Sequence, residues 1–183
     1  SIVGNTLLNE IVTEKKITVP GEILLELHKG VKIALNQNAV EFERRDGMDI
    51  TLCAFNENSN QIQYAGANRP LWIYRKDRNY ELEVIKATKF PIGGLELEES
   101  RVYQNHVVNV SEGDTLYLFS DGYADQFGGP KGKKFMLTNL QKTLLENIEL
   151  PMEIQKQKLM EAFMDWKQDA EQIDDVLVIG VKI

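Results

Sequence analysis

Between Met48 and Lys86 the chain carries the apolar runs MDITLCAF, QIQYAG, PLWIYRK and YELEVIK, parted only by turn clusters such as NENSN and KDRN. Val, Ile, Tyr, Phe and Thr at these densities, bounded by Asn, Ser, Asp and Gly, read as strands. A parallel crossover needs roughly a dozen residues or more, so connections this short favour antiparallel meanders over parallel crossovers. The middle of the chain is expected to be strand-rich and antiparallel.

The flanking segments have helical periodicity. Leu7, Leu8 and Ile11 recur at helical spacing in residues 3–16, and Ile23, Leu24, Leu27, Val31 and Leu35 do so in residues 20–37. Pro20 suits the first turn of the second helix, where its missing N–H would be unpaired anyway. After the meander, FPIGG reads as a loop, and VYQNHVVNV and TLYLFS read as strands. A glycine-rich loop follows, then two amphipathic helices, FMLTNLQKTLLENI and MEIQKQKLMEAFMDWKQDA, and a last strand, DDVLVIGVKI. Strands grouped together with helices at both ends predict an α+β fold, sheet covered by helices, and disfavour a doubly wound sheet.

At 183 residues the chain fits a single domain spanning residues 1–183. A hydrophobic content of 43% with 27% charged residues is that of a globular protein. No apolar run approaches the roughly 20 residues of a membrane helix, and SIVGNTLLNEIV lacks the basic and apolar regions of a signal peptide. Its start at Ser1 rather than Met points to a piece of a longer chain. The net charge of −7 argues against general nucleic-acid binding. The one dense basic cluster is GPKGKKF at 129–135. The single cysteine, Cys53, excludes an internal disulfide or a cysteine-rich zinc site and predicts a reducing, cytoplasmic location.

Carboxylates stand where hydrophobic strands start or stop: Asp121 ends TLYLFSD, Asp174 and Asp175 start DDVLVIGV, and Asp46 starts DGMDITLC. A carboxylate at a partly buried strand end is costly unless a cation meets it. The plainer reading of Asp121-Gly122 and of Asp46-Gly47 is a turn, that of Asp174-Asp175 a strand cap, and that of Asp49 a solvent-facing position beside Thr51. In an extended strand Asp174 and Asp175 face opposite ways, so one of them at most joins Asp121; parity does not say which. An all-oxygen set suits Mg²⁺ or Mn²⁺ rather than zinc, and such ions serve phosphate chemistry without a serine or cysteine nucleophile. The haloacid dehalogenase pattern is excluded, since Phe119 stands two positions before Asp121. His28 and His106 share no motif and read as structural or solvated.

Taken in order, RRDGMDITLCAFNENSNQIQYAGANRPLWIYR, FPIGG, GDTLYLFSDGYADQFGG and IDDVLVIGVKI resemble the stage II sporulation protein E-like phosphatases, a bacterial branch of the metal-dependent type 2C (PPM) protein serine/threonine phosphatases. The resemblance covers nearly the whole chain. It implies a four-layer α-β-β-α sandwich of two antiparallel sheets flanked by helices. It also implies a centre of two or more Mg²⁺ or Mn²⁺ ions whose bridging water attacks phosphoserine or phosphothreonine. By the family's motifs Asp121 and Asp174 correspond to metal-binding aspartates, with Gly122, Asp175 and Asp46 adjacent.

The family's bridging Asp and Gly-His-Gly motif have no counterpart in these 183 residues. The expectation is a domain lacking its first strand or strands and first metal motif, weak in metal binding and inactive alone. The implied partners are a phosphorylated regulator, such as an anti-anti-sigma-type protein, and upstream sensor domains in a parent protein, which a membrane anchor in that parent would suit; no contact of this domain with nucleic acid or membrane is expected. An exposed sheet edge would favour a homodimer. The loop through GGPKGKK would make a flexible basic rim. The alternative from another class is a non-catalytic pseudophosphatase that binds a signalling partner. A receiver-type phosphoacceptor is disfavoured because its acidic pair lies near the chain start.

Overall fold

Pro20 opens helix α2 (Pro20–Ala34), in which Ile23, Leu24, Leu27 and Val31 form one buried face. The computed structural model describes residues 2–35, 47–56, 59–94 and 101–183. The chain divides into one unit of Ser1–Leu71 with Val84–Val110 and another of Trp72–Glu83 with Ser111–Ile183.

In the first unit α1 (Ile2–Asn9) continues through a π-helical turn, Glu10–Glu14, before α2. The helices accompany an antiparallel sheet ordered β2 (Ile50–Phe55), β3 (Gln61–Ala67), β7 (His106–Asn109). Ile11 and the α2 face pack with Ala65, Ala67, Ile92 and Tyr103. Each large side chain buried in this way contributes about 1.5–3 kcal/mol. FPIGG is not wholly loop: β6 (Ile92–Gly93) pairs with β1 (Gly47–Met48). The Gly93 N–H donates to Nδ1 of buried His28 at 3.0 Å, which gives that histidine a structural task. His106 faces Tyr64 across the β3–β7 pair.

The second unit holds an antiparallel sheet ordered β11 (Val178–Lys182), β8 (Thr115–Phe119), β4 (Leu71–Arg75), β5 (Glu81–Ile85). Helices α4 (Leu137–Glu146) and α5 (Met152–Lys167) contribute Leu140, Leu144, Leu159 and Phe163 to a core with Trp72, Tyr74, Tyr117, Phe119 and Tyr123. Its rings meet edge to face, Trp72 on Phe119 at 4.4 Å and Tyr74 on Tyr117 at 5.8 Å, a geometry the ring quadrupoles favour. No helix among the described residues is long and apolar enough to cross a membrane. Helices on antiparallel sheets are the mixed architecture expected from the sequence.

Two local expectations change. The strand expected from Asp174 begins only at Val178. The glycine-rich loop contains a short helix α3 (Gly122–Asp125) and a hairpin, β9 (Phe127–Gly128) against β10 (Lys133–Lys134).

Candidate metal centre

β8 delivers Asp121 to the start of α3, where its carbonyl accepts the Asp125 N–H at 2.8 Å. The turn expected for Asp121-Gly122 is thus the entry to a helical turn. Gly122 is buried because the segment at 174–175 lies on it: a Cβ at 122 would stand 2.4 Å from the Asp175 carbonyl oxygen and 3.3 Å from the Asp174 carbonyl carbon. Only glycine permits this approach, and it brings the end of β8 to the residues that precede β11.

Ser120 explains why 174–177 leave the regular ladder. Its N–H donates to the Leu177 carbonyl at 3.0 Å. Its hydroxyl donates to the Asp175 carbonyl at 2.7 Å and accepts the Leu177 N–H at 3.0 Å. A side chain that takes over main-chain partners competes with sheet pairing. Asp174 does the same locally, its Oδ1 accepting the Asp175 N–H at 2.7 Å, while Gln172 Nε2 donates to the Asp174 carbonyl at 3.0 Å. The alternate-face rule for an extended strand therefore does not apply at Asp174-Asp175. Both residues are exposed, and Asp121 is half-buried.

The sequence reading missed Gln126. Fully buried, it donates through Nε2 to the carbonyls of Phe127 and Glu171, both at 2.9 Å, and so ties α3 to the chain leading into the acidic pair. Its carbonyl accepts the Trp166 indole N–H at 3.2 Å. The signal was a polar residue between the buried Ala124 and the hairpin. Trp166 also fixes the hairpin, accepting the Gly129 N–H at 2.7 Å on its carbonyl, while a Cβ on Gly128 would stand 1.9 Å from that oxygen. The hairpin, expected to form a flexible rim, is anchored at its base.

Asp46 lies outside the described residues. Asp49 does not simply face solvent: it pairs with Arg69 at 2.9 Å and accepts Asn68 Nδ2 at 2.8 Å. Among the described residues no group of three or more His, Cys, Asp or Glu side chains is placed to hold a metal. Near the β8 end stand Asp121, Asp174 and Asp175, acidic residues with no His or Cys among them. That chemistry fits a hydrated hard cation of the magnesium or manganese kind held by one or two carboxylates, and it does not fit a closed zinc site.

Solved structures share the fold. The SiaA-PP2C domain of Pseudomonas aeruginosa superimposes with a TM-score of 0.84 at 21% identity, over 100% of this chain and 68% of that one. The PP2C phosphatase domain with a fragment of the regulatory domain of SpoIIE, a cell fate determinant of Bacillus subtilis, gives 0.68 at 18% identity, over 98% of this chain and 48% of that one. The catalytic domain of the serine/threonine phosphatase PstP, known from Mycobacterium tuberculosis, in complex with two manganese ions gives 0.55 at 15% identity, over 98% of this chain and 80% of that one. At such identities the likeness is one of fold. No curated protein is significantly similar in sequence. The stage II sporulation protein E (SpoIIE) family matches residues 3–183, nearly the whole chain, and its folded form is that of a PP2C phosphatase domain: the chain belongs to the SpoIIE family.

Proposed function

We propose that this chain is a Mg²⁺- or Mn²⁺-dependent protein serine/threonine phosphatase domain that hydrolyses phosphoserine or phosphothreonine on a regulatory protein, with an anti-anti-sigma-type protein as a candidate. The observation that carries the reading is the backbone contact of Gly122 with Asp174-Asp175, which sets Asp121 and the acidic pair at one end of the β8–β11 pair. Asp121 and Asp174 would hold the cation, with Asp175 and Gly122 beside them. Bound there, a divalent ion supplies an activated water and charge to steady the phosphoryl oxygens.

The chain's own part is to aim the carboxylates. Ser120 and Gln126 fix the two segments that carry them. The hairpin after α3 presents Lys131 and Lys133, both exposed, to an anionic partner. Two carboxylates hold such an ion weakly, so these residues alone would turn over little.

The test is single-turnover release of phosphate from a phosphoserine peptide at high protein concentration and saturating Mn²⁺. Slow release that EDTA stops and Asp121→Asn abolishes is expected. Release indifferent to both would sink the assignment, and phosphopeptide binding that neither Mn²⁺ nor Asp121→Asn alters would favour a module that binds phosphorylated partners without hydrolysis.

A further inference from the structure

Beyond α3 the chain turns through the hairpin and comes back along itself. Lys134 stands in register with Phe127, the Phe135 N–H donates to the Gln126 carbonyl at 2.9 Å, and the Met136 N–H donates to the Ala124 carbonyl at 2.7 Å. Phe135 turns inward, buried edge to face against Tyr123 and Trp166. Its neighbours Lys134 and Met136 therefore turn outward, and the Lys134 ammonium lies 5.9 Å from the centre of the Phe127 ring. With Leu137, the first residue of α4, they make one outward strip on which Phe127 is 42%, Met136 55% and Leu137 45% accessible. The hairpin beyond it carries Lys131 and Lys133, both exposed.

Met136 holds a conformation that suits glycine, with φ +75° and ψ 148°, where a side chain is strained. That backbone is dictated from both sides. The N–H is bonded to Ala124, and the carbonyl starts α4 by accepting the N–H groups of Asn139 at 3.1 Å and Leu140 at 3.2 Å. Glycine would make the same bonds without strain, and a methionine side chain this exposed gains little from packing. Methionine is, however, a residue of adaptable binding surfaces, so its side chain is left to serve something outside the chain.

We propose that this strip docks an extended segment of a protein partner, with an apolar residue of the segment on Phe127, Met136 and Leu137 and acidic residues beyond it meeting Lys131 and Lys133. Charge selects this occupant. A broad anionic surface such as a membrane meets the chain's net charge of −7, whereas a short acidic segment meets only the hairpin lysines. The place of the strip also sets a spacing in the partner. From Asp121 to Asp125 α3 rises about 6 Å, and Met136 lies beside its end at roughly a strand spacing of 5 Å. An extended peptide advances about 3.3 Å per residue, so the apolar residue falls about two to four positions from the phosphorylated one. That spacing rests on the metal-site reading above; the docking does not.

The experiment reads the anisotropy of labelled serine-glycine peptides that carry one leucine beside a run of aspartates, at low salt. The unphosphorylated peptide should bind, about tenfold more weakly when its leucine is serine and severalfold more weakly when its aspartates are asparagine. Met136→Gly should weaken binding severalfold without lowering the urea midpoint, and Met136→Leu should retain it. Phosphoserine placed at successive positions on either side of the leucine should then tighten binding in the presence of Mn²⁺, most strongly at about two to four residues. Affinity indifferent to the leucine or to Met136→Gly overturns the docking, as does capture of the chain by anionic vesicles in preference to the peptide. Docking that persists while phosphoserine adds nothing at any position supports the docking and strikes the metal-site reading. Phosphoserine that tightens binding equally at every position overturns the placement of the strip beside the candidate centre.

Discussion

The main chain of Gly122 rests directly on that of Asp175, so closely that a methyl group at 122 would stand 2.4 Å from the Asp175 carbonyl oxygen. Replacing glycine by alanine inside a helical turn normally gains up to about 1 kcal/mol. Forcing a side chain into packed backbone costs about 1–3 kcal/mol, so the clash wins. Gly122→Ala should lower the urea midpoint with an unchanged m-value. An equal or raised midpoint would show that 174–175 is not held against α3.

The Arg75–Asp114 pair should matter far more than its neighbour. Asp114 is 1% exposed and accepts Arg75 Nη1 at 2.8 Å and the main-chain N–H groups of Lys76 at 3.0 Å and Ser111 at 3.1 Å. Asp114→Ala leaves two N–H groups without their acceptor and takes from the buried Arg75 guanidinium its buried carboxylate, a loss of about 3–5 kcal/mol. Glu83, which accepts Arg75 Nε at 2.7 Å from a more exposed position, should cost under about 1 kcal/mol when changed to Gln. Chemical denaturation of the two variants checks the order; similar losses would refute it.

Alkaline pH should unfold the chain. Burial pushes the Cys53 thiol up to about 12 and the Tyr74 phenol up to about 12, and it raises Tyr64, Tyr117 and Tyr123 as well. In the unfolded chain these groups ionise near about 8.5 for the thiol and about 10 for the phenols. The folded state therefore keeps protons that the unfolded state loses. The stabilisation is complete below the unfolded values and is lost as pH rises from them through the raised folded values. Urea midpoints should be level from pH 7 to 8 and fall by pH 10.5, with tyrosinate absorbance of these rings appearing only on unfolding. Titration of all the tyrosines near pH 10 in a folded chain would contradict this.

Substrate binding should pass through the hairpin. Lys134 is tied to Asp125 at 2.9 Å, whereas Lys131 and Lys133 have no ion-pair partner among the described residues. Lys131→Glu with Lys133→Glu should weaken binding of a fluorescent phosphoserine peptide severalfold at low salt and much less at high salt, read by anisotropy. Equal affinity at both salt concentrations would remove the hairpin from recognition.

The strands and the helices were legible because period is a local property: the runs around Ile50, Tyr64 and Ile73 and the α2 face all stand where the sequence pattern put them. Their pairing was not, since β2–β3 and β4–β5 belong to different sheets instead of one meander. FPIGG was not legible as a strand, since a two-residue bridge to Gly47-Met48 leaves no period to read. The late start of β11 was hidden because it depends on the Ser120 hydroxyl taking over main-chain partners from a distant point in the sequence. Gln126 was invisible for the same reason, as its partner Glu171 is remote in sequence. Asp121, Asp174 and Gly122 stood out as a candidate site only because their motifs, in order, resembled a family; from spacing alone they read equally well as turns and caps.

The most direct test of the account is paramagnetic line broadening by Mn²⁺ in amide spectra of this chain, which reports weak sites as well as strong ones. Broadening is expected first at Ser120–Tyr123 and Asp174–Val176, at millimolar rather than micromolar Mn²⁺, and should vanish in both Asp121→Asn and Asp174→Asn. Broadening scattered over the acidic surface, or focused broadening that survives both substitutions, would contradict a metal site at the end of β8.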